Sequence, residues 1–281
     1  MKFLLLYMPV LHRGYLDFFE KHKYNDTHCR LLGADALSAL GPEAAYVLKK
    51  DKAIRAIPDD LTRYFVGALG LFASSKLLDP NDPGHPDEIV APDEDISVLA
   101  AERFFPGVPV TYDGSLRLRY DRKGVARVDP VPESACVTSD EAHLILMRHA
   151  EEQTYRSHDW WLQVGALVAR DGVPLFTAWN KAVPDPDIVN VLGDPRSLYS
   201  RGEGTDDTLV LHAERSLVSQ AARAGVSLLG TDAYVTHFPC VPCAEGLKEA
   251  GIKRLFFRQG YSRLESASTL EAAGVELIRV V

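Results

Sequence analysis

The sequence of 281 residues has few cysteines, no long apolar run and no excess of positive charge. Its four cysteines are too few and too unevenly spaced for the disulfide framework of a secreted protein. The apolar run Phe3–Leu11 is about half as long as a membrane span, so we expect a buried strand there. We therefore expect a cytoplasmic protein with no membrane partner. The net charge of −8 also makes nucleic acid an unfavourable partner.

What the sequence does have is the composition of a globular protein of two domains. Hydrophobic residues make up 46% of the chain and charged residues 25%, which excludes disordered and fibrous classes. The proline-containing segment Asp129–Ser134 has the composition of a linker between domains. We predict one domain at residues 1–131 and a second at 132–281.

Short apolar runs in the first domain alternate with helical segments, which predicts an α/β fold. The predicted strands are Lys2–Met8, Ile89–Ala91, Val108–Tyr112 and Leu116–Tyr120, and the predicted helices are 14–23, 59–73 and 93–104.

The second domain begins with a helix and a hairpin that turns at Asp171–Gly172, and three helix–strand units follow. This order predicts a layered α/β domain. The predicted helices are Ser139–Tyr155, His212–Ala224, Cys240–Ala250 and Ser262–Ala273, and the predicted strands are Gln163–Ala169, Leu175–Trp179, Ala233–Thr236, Arg254–Phe257 and Glu276–Val281.

Three potential zinc ligands, His212, Cys240 and Cys243, occur at the beginnings of two predicted helices. A helix N-terminus favours the thiolate form of cysteine, which is the form that binds zinc. Two thiolates and one imidazole leave the fourth position of a tetrahedral zinc open, as in catalytic zinc sites. Glu214 follows His212 by two residues and is placed to exchange protons beside the metal.

Other interpretations of the cysteine pair remain open at this point. Cys-x-x-Cys alone is also found in structural zinc sites and in thioredoxin-like redox pairs, although neither explains Glu214. A structural zinc needs a fourth protein ligand, for which His237 is the nearest candidate. We expect His237 to end a strand and line a substrate pocket instead.

The motifs His212-Ala213-Glu214 and Pro239-Cys240-Val241-Pro242-Cys243 resemble those of the zinc-dependent cytidine and deoxycytidylate deaminase superfamily. Segments Tyr234–Cys240, Val164–Val168 and Trp179–Pro184 are most similar to the deoxycytidylate branch. The resemblance implies a three-layer α/β/α domain with a mixed five-stranded sheet, bound Zn²⁺, and hydrolytic deamination of a cytosine nucleotide. It further implies that dCMP is converted to dUMP, and that the protein forms a homo-oligomer.

The resemblance also assigns substrate contacts. It implies that Asn180 and Tyr261 lie in the substrate pocket, and we add Ala213 and His237 as substrate-binding residues. Trp179 stands where the family usually has tyrosine, and Lys181 where it has glycine. Lys181, Arg196 and Arg201 are candidates for contact with a 5′-phosphate.

The first domain has a weaker resemblance. His12-Arg13-Gly14-Tyr15 is similar to the His-x-Gly-His loop of nucleotidyltransferases, with tyrosine in place of the second histidine. We therefore expect a domain without transferase activity that serves packing, regulation or oligomerisation. Two alternatives to a nucleotide deaminase remain: a deaminase of bases in RNA or single-stranded DNA, and a zinc-binding regulatory or scaffold protein without turnover.

Overall fold

The computed structural model describes residues 1–9, 11–44, 57–116, 129–159, 162–192, 195–199, 203–261 and 263–281. The chain divides into two compact units. Unit 1 comprises Met1–Arg127 and Val189–Ser200, and unit 2 comprises Val128–Ile188 and Arg201–Val281. No helix among the described residues combines the length and the hydropathy needed to cross a membrane.

Unit 1 contains a parallel sheet of five described strands in the order β3-β2-β1-β4-β5. The strands are β1 (Lys2–Leu6), β2 (Thr27–Leu31), β3 (Ser74–Leu77), β4 (Glu88–Pro92) and β5 (Val110–Asp113). The helices are α1 (Arg13–His22), α2 (Ala34–Ala39), α3 (Asp59–Ala68) and α4 (Asp95–Phe104). The short helix α6 (Ile188–Leu192) also belongs to unit 1, except for its first residue.

The continuous apolar run of β1 is explained by burial on both faces of this sheet. Phe3 and Leu5 pack in one core cluster with residues of α4, whereas Leu4 and Leu6 pack in another with residues of α1. All four side chains are completely buried. The predicted α/β class is thus confirmed in unit 1.

Several predictions for the first domain differ from the structure. Strands β2 and β3 were not predicted, because β3 is polar and lies at the sheet edge, and β2 carries His28 and Arg30 between buried residues. The helix predicted at 59–73 ends at Ala68, followed by a turn in which Gly70 has φ +65°. Residues 117–120 of the strand predicted at Leu116–Tyr120 lie outside the described residues.

Glu94 caps the N-terminus of α4, and its side chain is buried. We expect this burial to make the stability of unit 1 depend on pH. Its carboxylate accepts hydrogen bonds from the backbone N–H groups of Ile96 and Ser97, at 3.1 and 2.9 Å. Burial nevertheless raises the pKa of Glu94 from 4.5 to about 7, because the charged form is poorly solvated there.

We expect a Glu94→Gln variant to lose this pH dependence. The folded state holds the proton more tightly than the unfolded state, so the wild type is most stable below pH 4.5 as far as Glu94 is concerned. It then loses about 2–3 kcal/mol of that contribution as the pH rises to 7. Hydrogen–deuterium exchange of α4, corrected for the intrinsic exchange rate, measures this change. Equal pH slopes in wild type and variant would contradict it.

Unit 2 contains a mixed sheet in the order β6-β13-β12-β11-β7-β8. The strands are β6 (Cys136–Thr138), β7 (Gly165–Arg170), β8 (Val173–Trp179), β11 (Asp232–His237), β12 (Arg254–Gln259) and β13 (Glu276–Val280), and a separate pair joins β9 (Lys181–Ala182) to β10 (Val210–Leu211). The helices are α5 (Glu141–Gln153), α7 (Ala213–Ala224), α8 (Val241–Glu249) and α9 (Glu265–Ala272).

The sheet of unit 2 has helices on both faces, which confirms the predicted three-layer fold. Ala233 and Val235 pack in the core cluster formed with α7, α8 and α9, whereas Tyr234 packs in the cluster formed with α5. The predicted mixed sheet is confirmed, and it carries a sixth strand, β6, at its edge. This three-residue strand lacks an apolar pattern and is formed through its pairing with β13.

A tight turn and one close backbone approach shape the β7–β8 hairpin. Asp171 and Gly172 both have positive φ, +50° and +78°, which is the conformation of the tight turn predicted at these residues. At the other end, a Cβ on Gly165 would lie 1.9 Å from the carbonyl oxygen of Ala150, so only glycine fits against α5.

Candidate metal centre and active site

The elements of unit 2 bring the three predicted metal ligands together. His212 is the residue before α7, and Cys240 is the residue before α8, both with extended backbone. Cys243 lies in the first turn of α8. Pro242 suits this first turn because it needs no N–H donor and its φ is fixed near the helical value. The ligand atoms of the three residues lie within 4.8 Å of one another.

The distances between these atoms fit a zinc ion. The Nδ1 atom of His212 lies 3.3 Å from the Sγ atom of Cys243 and 3.4 Å from that of Cys240. A tetrahedral zinc with ordinary bond lengths places a nitrogen and a sulfur ligand about 3.5 Å apart. Among the described residues this is the only group of three or more potential ligands with such spacing, and His237 is not part of it.

The thiols of Cys240 and Cys243 shift each other's pKa in opposite directions. Cys243 donates a hydrogen bond to Cys240, and this bond, with the nearby imidazole of His212, lowers the pKa of Cys240 to about 5. The same hydrogen bond, together with burial, raises the pKa of Cys243. The site therefore already favours one thiolate, and a divalent cation would favour the second.

Glu214 lies beside the ligand group and is almost completely buried, with 5% of its surface exposed. Its carboxylate is within hydrogen-bond reach of the Cys243 thiol. Burial raises the pKa of Glu214, because the carboxylate loses hydration in the core of unit 2. A buried carboxyl group with a raised pKa can both accept and return a proton.

The predicted substrate residues occupy different positions in unit 2. Ala213 is buried in the first turn of α7, between His212 and Glu214. His237 ends β11, half-buried, with Nδ1 3.1 Å from the Thr236 hydroxyl. Tyr261 follows β12 and packs against the same core as α7 and α8.

Asn180 is buried, and its side-chain amide is fully used within the chain. Its Oδ1 atom accepts hydrogen bonds from the Ser157 hydroxyl and the Val164 N–H, at 2.8 and 2.7 Å. Its Nδ2 atom donates to the Leu162 carbonyl at 2.7 Å and to Asp159 at 3.3 Å. An amide forms four hydrogen bonds, so this one fixes the loop before β7.

We expect Asn180→Ala to destabilise unit 2 by about 2–4 kcal/mol, because buried partners on the loop lose their hydrogen bonds. The three tryptophans of the chain, Trp160, Trp161 and Trp179, all lie within unit 2. Urea unfolding followed by tryptophan fluorescence therefore measures this unit.

The matched control is His158→Ala, an exposed position of the same loop, which should change the stability by less than about 0.5 kcal/mol. A loss that small for Asn180→Ala would show instead that the amide is not needed to hold the loop.

The three candidates for phosphate contact have different positions. Lys181 lies in β9, where it pairs with Leu211, the residue before His212. Arg196 is buried and belongs to the segment that groups with unit 1. Arg201 lies outside the described residues. Sequence reasoning missed Arg156, whose guanidinium carbon lies 3.8 Å from the centre of the Trp179 ring.

Comparison with known proteins identifies the class of this domain. Residues 140–259 match the family described as the cytidine and deoxycytidylate deaminase zinc-binding region. Over 125 residues the chain is 30% identical to ComE operon protein 2 of Bacillus subtilis (strain 168), covering 42% of this chain and 60% of that protein. The segment 140–259 therefore belongs to the cytidine and deoxycytidylate deaminase superfamily.

The segment is also similar to two phage proteins. It is 36% identical over 87 residues to the deoxycytidylate deaminases of Enterobacteria phages T2 and T4, covering 30% of this chain and 45% and 44% of theirs. The segment is thus similar to deoxycytidylate deaminases over part of their length. The chain thus spans 60% of the first curated relative and less than half of the other two.

A solved structure is similar over about half of the chain. The dCMP deaminase of cyanophage S-TIM5, in complex with dCMP and dUMP, is 26% identical, with a TM-score of 0.41. The match covers 51% of this chain and 99% of the cyanophage protein.

Proposed function

We propose that this protein is a zinc-dependent hydrolase that deaminates a cytosine nucleotide, converting dCMP to dUMP and ammonia. The observation that carries the proposal is the convergence of His212, Cys240 and Cys243 with the buried carboxyl group of Glu214 beside them. Three ligands leave room for a water molecule, and an acid next to that position can move its protons. The phage relatives that match the same segment carry the name deoxycytidylate deaminase, which supports dCMP as the substrate.

In the proposed reaction, three residues bind the metal and a fourth transfers protons. His212, Cys240 and Cys243 would hold the zinc ion, which when bound lowers the pKa of a coordinated water and so supplies a nucleophile at neutral pH. Glu214 takes a proton from the water that adds to C4 of cytosine and delivers it to N3 of the ring. Glu214 then transfers the second proton to the amine at C4, which leaves as ammonia.

The burial of Glu214 suits this role. A carboxylate in water is protonated only in acid, whereas one with 5% exposure holds its proton at higher pH. The same burial limits the exchange of that proton with solvent between the two transfers. Glu214 can therefore carry one proton from the water to the ring without losing it.

An ammonia-release screen tests the proposal. Purified protein with one zinc per chain is incubated with cytidine, CMP, dCMP, dCTP and a cytosine-containing single-stranded oligonucleotide. We expect the highest kcat/KM for dCMP. Turnover of the oligonucleotide alone would identify a deaminase of nucleic-acid bases. No turnover of any compound by the zinc-loaded protein would indicate a zinc-binding scaffold.

For residues 1–131 we propose a role in packing, regulation or oligomerisation without transferase activity. The tyrosine in the His12–Tyr15 motif supports this, because Tyr15 is completely buried and donates a hydrogen bond to the Tyr7 carbonyl. We further propose that the protein acts in the cytoplasm as a homo-oligomer. Light scattering of the purified full chain tests the oligomeric state, and a monomer at micromolar concentration would contradict it.

A further inference from the structure

We propose that Ser266 is a positioning residue for the metal ligand Cys240. Ser266 lies in the first turn of α9, and its hydroxyl donates a hydrogen bond to the Pro239 carbonyl at 2.7 Å. Pro239 directly precedes Cys240 in the chain. The inference rests on the proposed zinc site and extends it: the affinity for zinc depends on a side chain that does not itself bind the metal.

The segment that carries Cys240 is fixed at three consecutive residues. The Phe238 N–H donates to the carbonyl of the last residue of β12 at 2.8 Å, and the Cys240 carbonyl accepts from an N–H of α8 at 2.9 Å. Between these two residues, Pro239 has no N–H, so its carbonyl is its one backbone hydrogen-bonding group. Ser266 binds that carbonyl and thereby links the segment to α9.

Burial makes the hydrogen bond from Ser266 difficult to replace. Ser266 is 1% exposed and Cys240 is 7% exposed, so little water reaches this part of unit 2. A buried carbonyl that loses its donor must find another or stay unsatisfied, at a cost in free energy. The other two links of the segment join backbone to backbone. Ser266 is therefore the link that a single substitution can remove.

A shift of this segment would act directly on the metal site. The Sγ atom of Cys240 lies 3.4 Å from the Nδ1 atom of His212, close to the separation of about 3.5 Å that a tetrahedral zinc needs. Ligands that stand at the required separation before the metal arrives bind it with little rearrangement. Residues that orient metal ligands contribute about 10–100-fold to metal affinity. We infer a contribution of this size for Ser266.

Zinc affinity and the visible spectrum of the Co²⁺-substituted protein test this role. We expect Ser266→Ala to weaken zinc binding about 10–100-fold, as measured by competition with a chromophoric chelator. The Co²⁺ absorption bands should also change, because they depend on the arrangement of the ligands around the metal. The matched control is Ser268→Ala, which removes an exposed hydroxyl of the same helix that bonds to the Glu265 carbonyl. It should change zinc affinity less than about 2-fold.

A conservative variant separates the hydroxyl of Ser266 from the rest of its side chain. Ser266→Thr keeps the donor and should bind zinc within about 3-fold of the wild type. Equal losses of zinc affinity in Ser266→Ala and Ser266→Thr would overturn the proposal. Wild-type affinity and an unchanged Co²⁺ spectrum in Ser266→Ala would also overturn it, even if that variant unfolds at a lower urea concentration, because its role would then be structural only.

None of these measurements needs turnover, so failure of this inference is distinct from failure of the proposed function. Selective loss of zinc affinity in Ser266→Ala supports the role of Ser266 even if the wild type deaminates none of the substrates tested. Absence of zinc binding by the wild type would contradict the proposed function itself, and with it the site that Ser266 supports.

Discussion

Glu214→Gln is expected to reduce deamination of dCMP about 10³–10⁴-fold while the protein still binds one zinc per chain. Glutamine has nearly the same size and can accept one hydrogen bond, but it cannot take up and return a proton. The proposed reaction needs Glu214 for two proton transfers, so its loss removes general acid and general base catalysis together. The measurement combines ammonia release with zinc content determined by mass spectrometry.

The matched control is Glu245→Gln, which changes an exposed carboxylate of the neighbouring helix α8. It should retain wild-type kcat within about 2-fold. If Glu214→Gln retains more than a tenth of wild-type activity, Glu214 is not the proton carrier. If Glu214→Gln loses its zinc, the loss of activity is explained by the missing metal. The activity and zinc content of Glu214→Asp are then compared with those of the wild type.

Cys240→Ser and Cys243→Ser are expected to weaken zinc binding by more than about 100-fold and to abolish turnover. Even residues that only orient zinc ligands contribute about 10–100-fold to affinity, and a ligand contributes more. A serine hydroxyl stays protonated at neutral pH and is a poor zinc ligand. We measure zinc affinity by competition with a chromophoric chelator, alongside ammonia release.

The control is Cys136→Ser, because Cys136 is an exposed cysteine on β6. It should bind zinc and turn over dCMP as the wild type does. Zinc at 100 times its Kd should also stabilise unit 2 of the wild type by about 2.7 kcal/mol, as followed by tryptophan fluorescence, but not the two serine variants. Equal zinc affinity in all three variants would contradict the proposed ligand set.

Much of unit 2 could be predicted from the sequence, because its elements have strong local signals. Gly225, Gly251 and Gly274 follow helices and adopt the left-handed conformation that ends them, with φ between 66° and 80°. The Asp171–Gly172 pair likewise predicted the turn between β7 and β8, and both residues have positive φ. Strand β6 could not be predicted, since three residues without an apolar pattern pair with β13 only in the folded chain.

In the first domain, two strands have only weak local signals in the sequence. Strands β2 and β3 depend on parallel neighbours that are distant in the sequence, and β3 consists of Ser-Ser-Lys-Leu. Such a segment has no strand signal of its own, because its pairing with β2 supplies the stability. By contrast, β1, β4 and β5 overlap apolar runs that predicted strands, and β1 is buried on both faces.

The proposed metal ligands and Glu214 could be recognised from the sequence, because they form two short motifs that resemble those of a known family. The contact between Arg156 and Trp179 could not be recognised in this way. Arg156 precedes Trp179 by more than twenty residues and meets it only because the β7–β8 hairpin returns the chain to the end of α5. Likewise, the hydrogen bonds of Asn180 depend on a loop whose path no local pattern specifies.

The central place of β1 in its sheet has a consequence during synthesis on the ribosome. One edge of β1 can pair as soon as residues 27–31 emerge, but the other waits for residues 88–92. At a translation rate of about 5–20 residues per second, that interval lasts roughly 3–12 s. During that time the apolar strand β1 has an unpaired edge, which leaves the nascent chain open to pairing with another strand.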